Sequence, residues 1–123
     1  MSQKSSSTIR KYIDPKQFVI TAKQIAKMLN IDPQRIVRWE KWQNVLWVHI
    51  KGKGGYFVSY RRLEQWIAAC STLIRFCPTP QALETLWLAF VKESQRYQPN
   101  AFVRVQMLFR KRFKTLTLNI EHF

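Results

Sequence analysis

All three glycines of this 123-residue chain, Gly52, Gly54 and Gly55, fall within four consecutive positions. Glycine adopts left-handed backbone without a steric penalty, so this concentration marks one tight bend. Before it, Leu46, Val48 and Ile50 alternate with Val45, Trp47 and His49; after it, Tyr56–Val58 resumes an extended run. The pattern predicts two strands joined by a loop over Lys51–Gly55. A P-loop or a dinucleotide-binding loop places its glycines between a strand and a helix, so this strand-to-strand bend fits neither.

Upstream of the hairpin the period is helical. Thr21 and Gln24 have the spacing of a capping box, and Ala22, Ile25, Ala26 and Leu29 form one stripe. Asn30 suits a left-handed stop, and Ile31 would plug the joint between this helix and the next. Asp32 then reads as an N-cap with Pro33 at the first helical position, which predicts a second helix over Pro33–Trp42. On that helix Ile36, Trp39 and Gln43 would share the packed face, and Gln34, Arg38 and Lys41 the open one. Beyond the hairpin, Ser59 is expected to cap a third helix with Leu63, Trp66 and Ile67 inward and Arg61 and Arg62 in its first turn. An anion near those two arginines would offset their unfavourable place at a helix N-terminus. Helix, turn, helix, hairpin and helix in that order make a winged helix-turn-helix.

Pro78-Thr79-Pro80 sets off the C-terminal third of the chain. Thr79 can cap a fourth helix running to about Tyr97, with a stripe of Leu83, Leu86, Trp87 and Phe90 widened by Leu88, Ala89 and Val91. So broad an apolar surface needs cover on two sides. Leu83, Trp87, Phe90 and Val91 are the candidate homodimer interface; the competing cover is the chain's own C-terminal segment. Residues 101–114 fit a helix through Phe102, Val105, Phe109 and Phe113, or a strand through Val103, Val105, Met107 and Phe109. Leu116, Leu118 and Ile120 alternate as a final strand. The expected fold is mainly α with a small β-hairpin wing. Its parts are a basic flexible tail over 1–17, a winged helix-turn-helix over 18–77, and a C-terminal helical, dimerising region over 78–123 that ends in a strand.

Charge narrows the partner. Twenty-one Lys and Arg stand against seven Asp and Glu, a net charge of +14. Such an excess raises self-repulsion and suits a polyanion. The cations are spread over separate elements and do not line one amphipathic helix, which favours nucleic acid over an anionic membrane. Among them are Lys4, Arg10, Lys11 and Lys16 of the Ser-rich tail, suited to a phosphate backbone or a minor groove. Cys70 and Cys77 lie too far apart along a helix for a disulfide, and with His49 and His122 they make no zinc set. No metal and no cofactor is expected. The acids Glu40, Glu64, Glu84 and Glu93 are dispersed, without a nucleophile, base and orienter set, so an enzyme is not expected. With no signal region and no membrane span, a cytoplasmic, nucleoid-associated location is expected.

The stretch Ile20–Ile67 resembles the excisionase and MerR-like winged helix DNA-binding domains. The resemblance rests on the Ile20-Thr21 opening, the Ile25-Ala26 and Leu29 stripe, the pair Ile36 and Trp39, the Gly55-Tyr56 start of the second wing strand, and the closing Leu63-Glu64-Gln65-Trp66-Ile67. It covers about two-fifths of the chain, and its motifs are specific only in combination. Val37 and Gln43-Asn44 depart from the pattern of MerR-type regulators. The resemblance implies that the helix Pro33–Trp42 lies in the major groove while the wing tip grips the flanking backbone. Gln34, Arg35, Arg38 and Lys41 would then contact DNA from the helix, and Lys51, Lys53, Arg61 and Arg62 from the wing and its base.

Arg38 is the expected main base reader, bidentate to guanine, with Gln34 reading adenine and Val37 meeting a thymine methyl. The function so reached is a sequence-specific double-stranded DNA-binding transcriptional regulator, a dimeric repressor. Its rivals are an excisionase-like factor that bends DNA and an RNA-binding protein using its many aromatics as stacking platforms. No small-molecule effector can be named.

Overall fold

A computed structural model describes residues 9–121. The protein is mainly helical, with one small three-stranded antiparallel sheet. Two compact units divide it, Asp14–Trp66 and a second made of Ile67 onward together with Ile9–Ile13.

In the first unit, α1 (Ala22–Leu29) forms as its sequence dictates. The Gln24 N–H donates to Thr21 Oγ1 at 3.2 Å and the Thr21 N–H to Gln24 Oε1 at 3.0 Å, which closes the capping box. Asn30 ends the helix at φ 59°. Asp32 then caps, accepting from the Gln34 N–H at 2.8 Å, and Pro33 starts a helical turn. That turn stops at Arg35.

Here the structure corrects the expected fold. Ile36–Lys41 is a strand, β1, and the helix Pro33–Trp42 does not exist, so α1 is not followed by a recognition helix. The cause is a bulge. β1 pairs antiparallel with β2 (Leu46–Ile50), with Ile36 opposite Ile50, Arg38 opposite His49 and Trp39 opposite Val48. Two steps along β1 between Ile36 and Arg38 thus match one step along β2, and Val37 is the extra residue. The bulge leaves Ile36 and Trp39 facing inward three positions apart, which imitates one face of a helix. Cross-strand pairing of Ile36 with Ile50 and of Trp39 with Val48 overrides the weak start signal of a single capped turn.

The hairpin is present as expected. β2 turns through Lys51, Gly52 and Lys53 into β3 (Gly54–Val58). Gly52 and Gly54 take φ of +82° and +87°, a conformation that side chains disfavour. Leu46, Val48, Ile50 and Val58 are buried on the inner side, and α1 packs against β1. The expected third helix starts late: Ser59 caps only a turn over Tyr60–Arg62, and α2 runs Glu64–Arg75.

The second unit corrects further expectations. α3 (Pro80–Lys92), capped by Thr79, ends before Tyr97 in a turn over Ser94–Arg96. α4 is one unbroken helix, Pro99–Glu121, so no terminal strand forms. Its buried residues Val105, Phe109 and Leu116 follow the helical repeat, while Val103, Met107 and Leu118 face solvent. Leu83 and Phe90 are fully buried within this unit, where α3 packs against α4 and Phe90 stacks on Phe102 at 4.9 Å. Of the four residues assigned to a second copy, Leu83 and Phe90 are thus buried by the chain itself, while Val91 is exposed and Trp87 half-buried. Cys70 and Cys77 are both buried. Ile9 and Ile13, assigned from sequence to the flexible tail, are core residues, while Lys4 and His122 lie outside the described residues. Among the described residues no helix is long and apolar enough to cross a membrane.

Candidate nucleic-acid interface

The solvent side of the sheet gathers an unusual set of side chains. Strand alternation, reset by the bulge, turns Arg38 and Glu40 of β1, Trp47 and His49 of β2, and Gly55 and Phe57 of β3 to the same face. Trp42, just past β1, joins them, with its ring 5.1 Å from that of Phe57 in an edge-to-face contact. Trp42 is 44% and Phe57 62% exposed, a large apolar surface to leave in water.

The Trp47 indole occupies the centre of the face. The Arg38 guanidinium lies 4.7 Å from its ring centroid, a cation–π contact. On the other side the indole lies over Gly55, where any Cβ would come within 2.6 Å of Trp47 Nε1. A side chain at 55 would push the ring off the strand, so this glycine is required for close approach and not for its backbone angles.

Glu40 ties the set together, its Oε2 accepting from Arg38 Nη1 at 2.5 Å and its Oε1 from Trp42 Nε1 at 2.9 Å. These two contacts, Trp42 first and Arg38 second, hold the Glu40 carboxyl below its ordinary value of 4.5. The face is thus aromatic at one end and cationic at the other. The cationic end is where β1 begins and β2 turns into β3, and it holds Arg35, Lys51 and Lys53. There Arg35 Nη2 donates to the Lys51 carbonyl at 3.2 Å, and the Lys51 N–H to the Arg35 carbonyl at 2.8 Å.

The expected contact residues fare unequally. Arg38, Lys51 and Lys53 are exposed on this face or its tip, and Gln34 is exposed on the turn before β1. Lys41 is exposed but engaged, its ammonium donating to the carbonyls of Lys16 and Phe18, each at 2.9 Å. Arg62 is exposed with Nη2 on the Met28 carbonyl at 3.2 Å. Arg61 leaves the candidate set: it is 5% exposed, with its guanidinium 4.7 Å from the Trp66 ring. Val37, expected to meet a thymine methyl from a helix, is the exposed bulge residue.

Glu40, Trp42, Trp47, His49 and Phe57 do not figure among the contacts expected from sequence. The alternation of β2 does put Trp47 and His49 opposite Val48, which was the available signal. Comparisons with protein-family models, with curated proteins and with solved structures gave no match for this chain.

Proposed function

We propose that this protein binds double-stranded DNA through the outer face of its sheet, with the Lys51–Gly55 turn on the flanking backbone, and regulates transcription by occupying its site. The observation that carries the reading is the Arg38–Trp47 stack at the centre of an exposed face bordered by Arg35, Lys51 and Lys53. Strands about 4.8 Å apart make the three-stranded sheet roughly 10 Å wide between outer axes, comparable with a major groove about 12 Å across. The sheet then takes the part that a recognition helix would play, and strands reading a groove are an established mode. Phosphate contacts by the lysines release counterions and make the affinity salt-dependent. Repression needs only that the promoter be occupied.

A second reading is favoured by one observation, the exposed pair Trp42 and Phe57. Such rings can stack unpaired bases, so single-stranded RNA or DNA is the competing ligand. Selection from a random duplex library at physiological salt, followed by competition with single strands, separates the two. An enriched sequence held against single-strand competitor supports the duplex reading, and an enriched inverted repeat makes the bound species a dimer. Displacement by any single strand refutes it in favour of stacking.

A further inference from the structure

A carboxylate in the middle of a face meant for a polyanion needs its own explanation. Glu40 is exposed, and phosphate would repel it. Each of its two oxygens is nevertheless engaged, one on Arg38 Nη1 and the other on Trp42 Nε1. Because Glu40 stays charged at neutral pH, both bonds are charge-assisted.

The Arg38 guanidinium is consequently held at one edge by Glu40 and across one face by Trp47. Among the described residues no other partner holds it, and its remaining N–H donors are uncommitted. An unrestrained arginine on a basic surface is drawn to the nearest phosphate and must lose side-chain freedom before it can read a base. One paired with a carboxylate has its charge balanced and its plane fixed before DNA arrives. Guanine alone among the bases offers two adjacent acceptors, O6 and N7, at its major-groove edge.

Resting on the duplex-DNA reading above, we propose that Glu40 is the positioning residue that sets sequence specificity, clamping Arg38 for bidentate donation to a guanine and keeping it off the phosphate backbone. Glu40 does not itself supply affinity. Its removal takes one negative charge from the interface, so loss of specificity is accompanied by equal or stronger binding to unselected DNA.

The test compares wild type, Glu40→Ala and Glu40→Gln on three probes: the duplex selected by the wild type, the same duplex with 7-deazaguanine replacing each guanine in turn, and a random duplex. 7-Deazaguanine lacks the N7 acceptor and keeps base pairing. Wild type is expected to lose roughly tenfold or more at one guanine. Glu40→Ala is expected to lose that discrimination while holding or raising its affinity for the random duplex. Glu40→Gln keeps an acceptor and is expected to retain part of the discrimination. A Glu40→Ala protein that discriminates like wild type overturns the proposal, because Glu40 is then only a surface acid. A parallel loss on all three probes overturns it too, because the role is then structural. Wild type that binds duplex but ignores 7-deazaguanine refutes the guanine assignment alone, whereas wild type that binds no duplex refutes the reading on which it rests.

Discussion

On one side of the sheet Leu46, Val48, Ile50 and Val58 are sealed from water; on the other Trp47 and His49 alternate with them along β2, Phe57 adjoins Val58 on β3, and Arg38 lies opposite His49 on β1. Neighbouring residues therefore answer to different demands. The inner set is apolar and interchangeable by volume, as a core requires. The outer set is chemically specific: a guanidinium on an indole, a carboxylate between two donors, and two exposed rings. Burial of the first set stabilises the fold, while the exposed part of the second contributes little to folding. Adjacent substitutions can thus separate folding from binding.

The largest effect is expected on the inner side. Leu46→Ala should cost roughly 2–5 kcal/mol of stability by opening a cavity. DNA affinity should be unchanged once measured where the variant is fully folded. Urea melts and a binding isotherm at low temperature check both halves, and a loss of affinity in the folded variant would blur the division between faces.

Arg38→Ala should do the reverse, weakening specific binding by roughly 1–3 kcal/mol and relaxing one position of the site. Its unfolding free energy should stay within about 0.5 kcal/mol of wild type, as for an exposed residue. Equal losses on all sequences would make Arg38 a phosphate contact and not a reader.

Gly55→Ala should shift Trp47, because the new methyl would sit 2.6 Å from the indole nitrogen. A stability cost of about 1 kcal/mol, the low end for overpacking, is expected. The indole's fluorescence and near-ultraviolet dichroism should change with it; unaltered spectra would mean that the ring does not lie over β3.

Lys53→Ala, at the tip, should weaken every duplex alike and make the salt slope shallower by about one unit. An unchanged slope would take the turn out of the interface.

The smallest effect concerns pH. Because the Glu40 pKa is lowered, the Arg38–Glu40–Trp42 contact should be complete above 4.5, persist as the pH falls to that value, and be lost only as it falls through the depressed one. A carboxyl NMR titration of Glu40 checks this, and a midpoint at or above 4.5 would dissolve the network.

Much of this was legible in the sequence, and one bulge explains the main failure. α1 with its capping box, the Asn30 stop, the glycine hairpin and the Thr79 cap all depend on short-range chemistry, and each stands where its residues put it. β1 depends on pairing with β2 ten residues away, and its extra residue Val37 turned a strand's period of two into a spacing of three. In α4 the opposite confusion arises: Val103, Met107 and Leu118 are apolar but exposed, so they supply an alternation that no strand uses. Arg38, Lys51 and Lys53 were identifiable as exposed cations whatever element carried them. Trp42 and Phe57 were not, because composition assigns aromatics to the core and only the sheet shows which side they take.

The most direct test of the sheet as the interface is amide mapping of the isotope-labelled full chain titrated with a selected DNA duplex. The account predicts shift changes centred on Arg38–Trp42, Trp47–Lys53 and Gly55–Phe57, with side-chain indole signals of Trp42 and Trp47 moving as well. Changes concentrated on α3 and α4, with these strands unmoved, would contradict it.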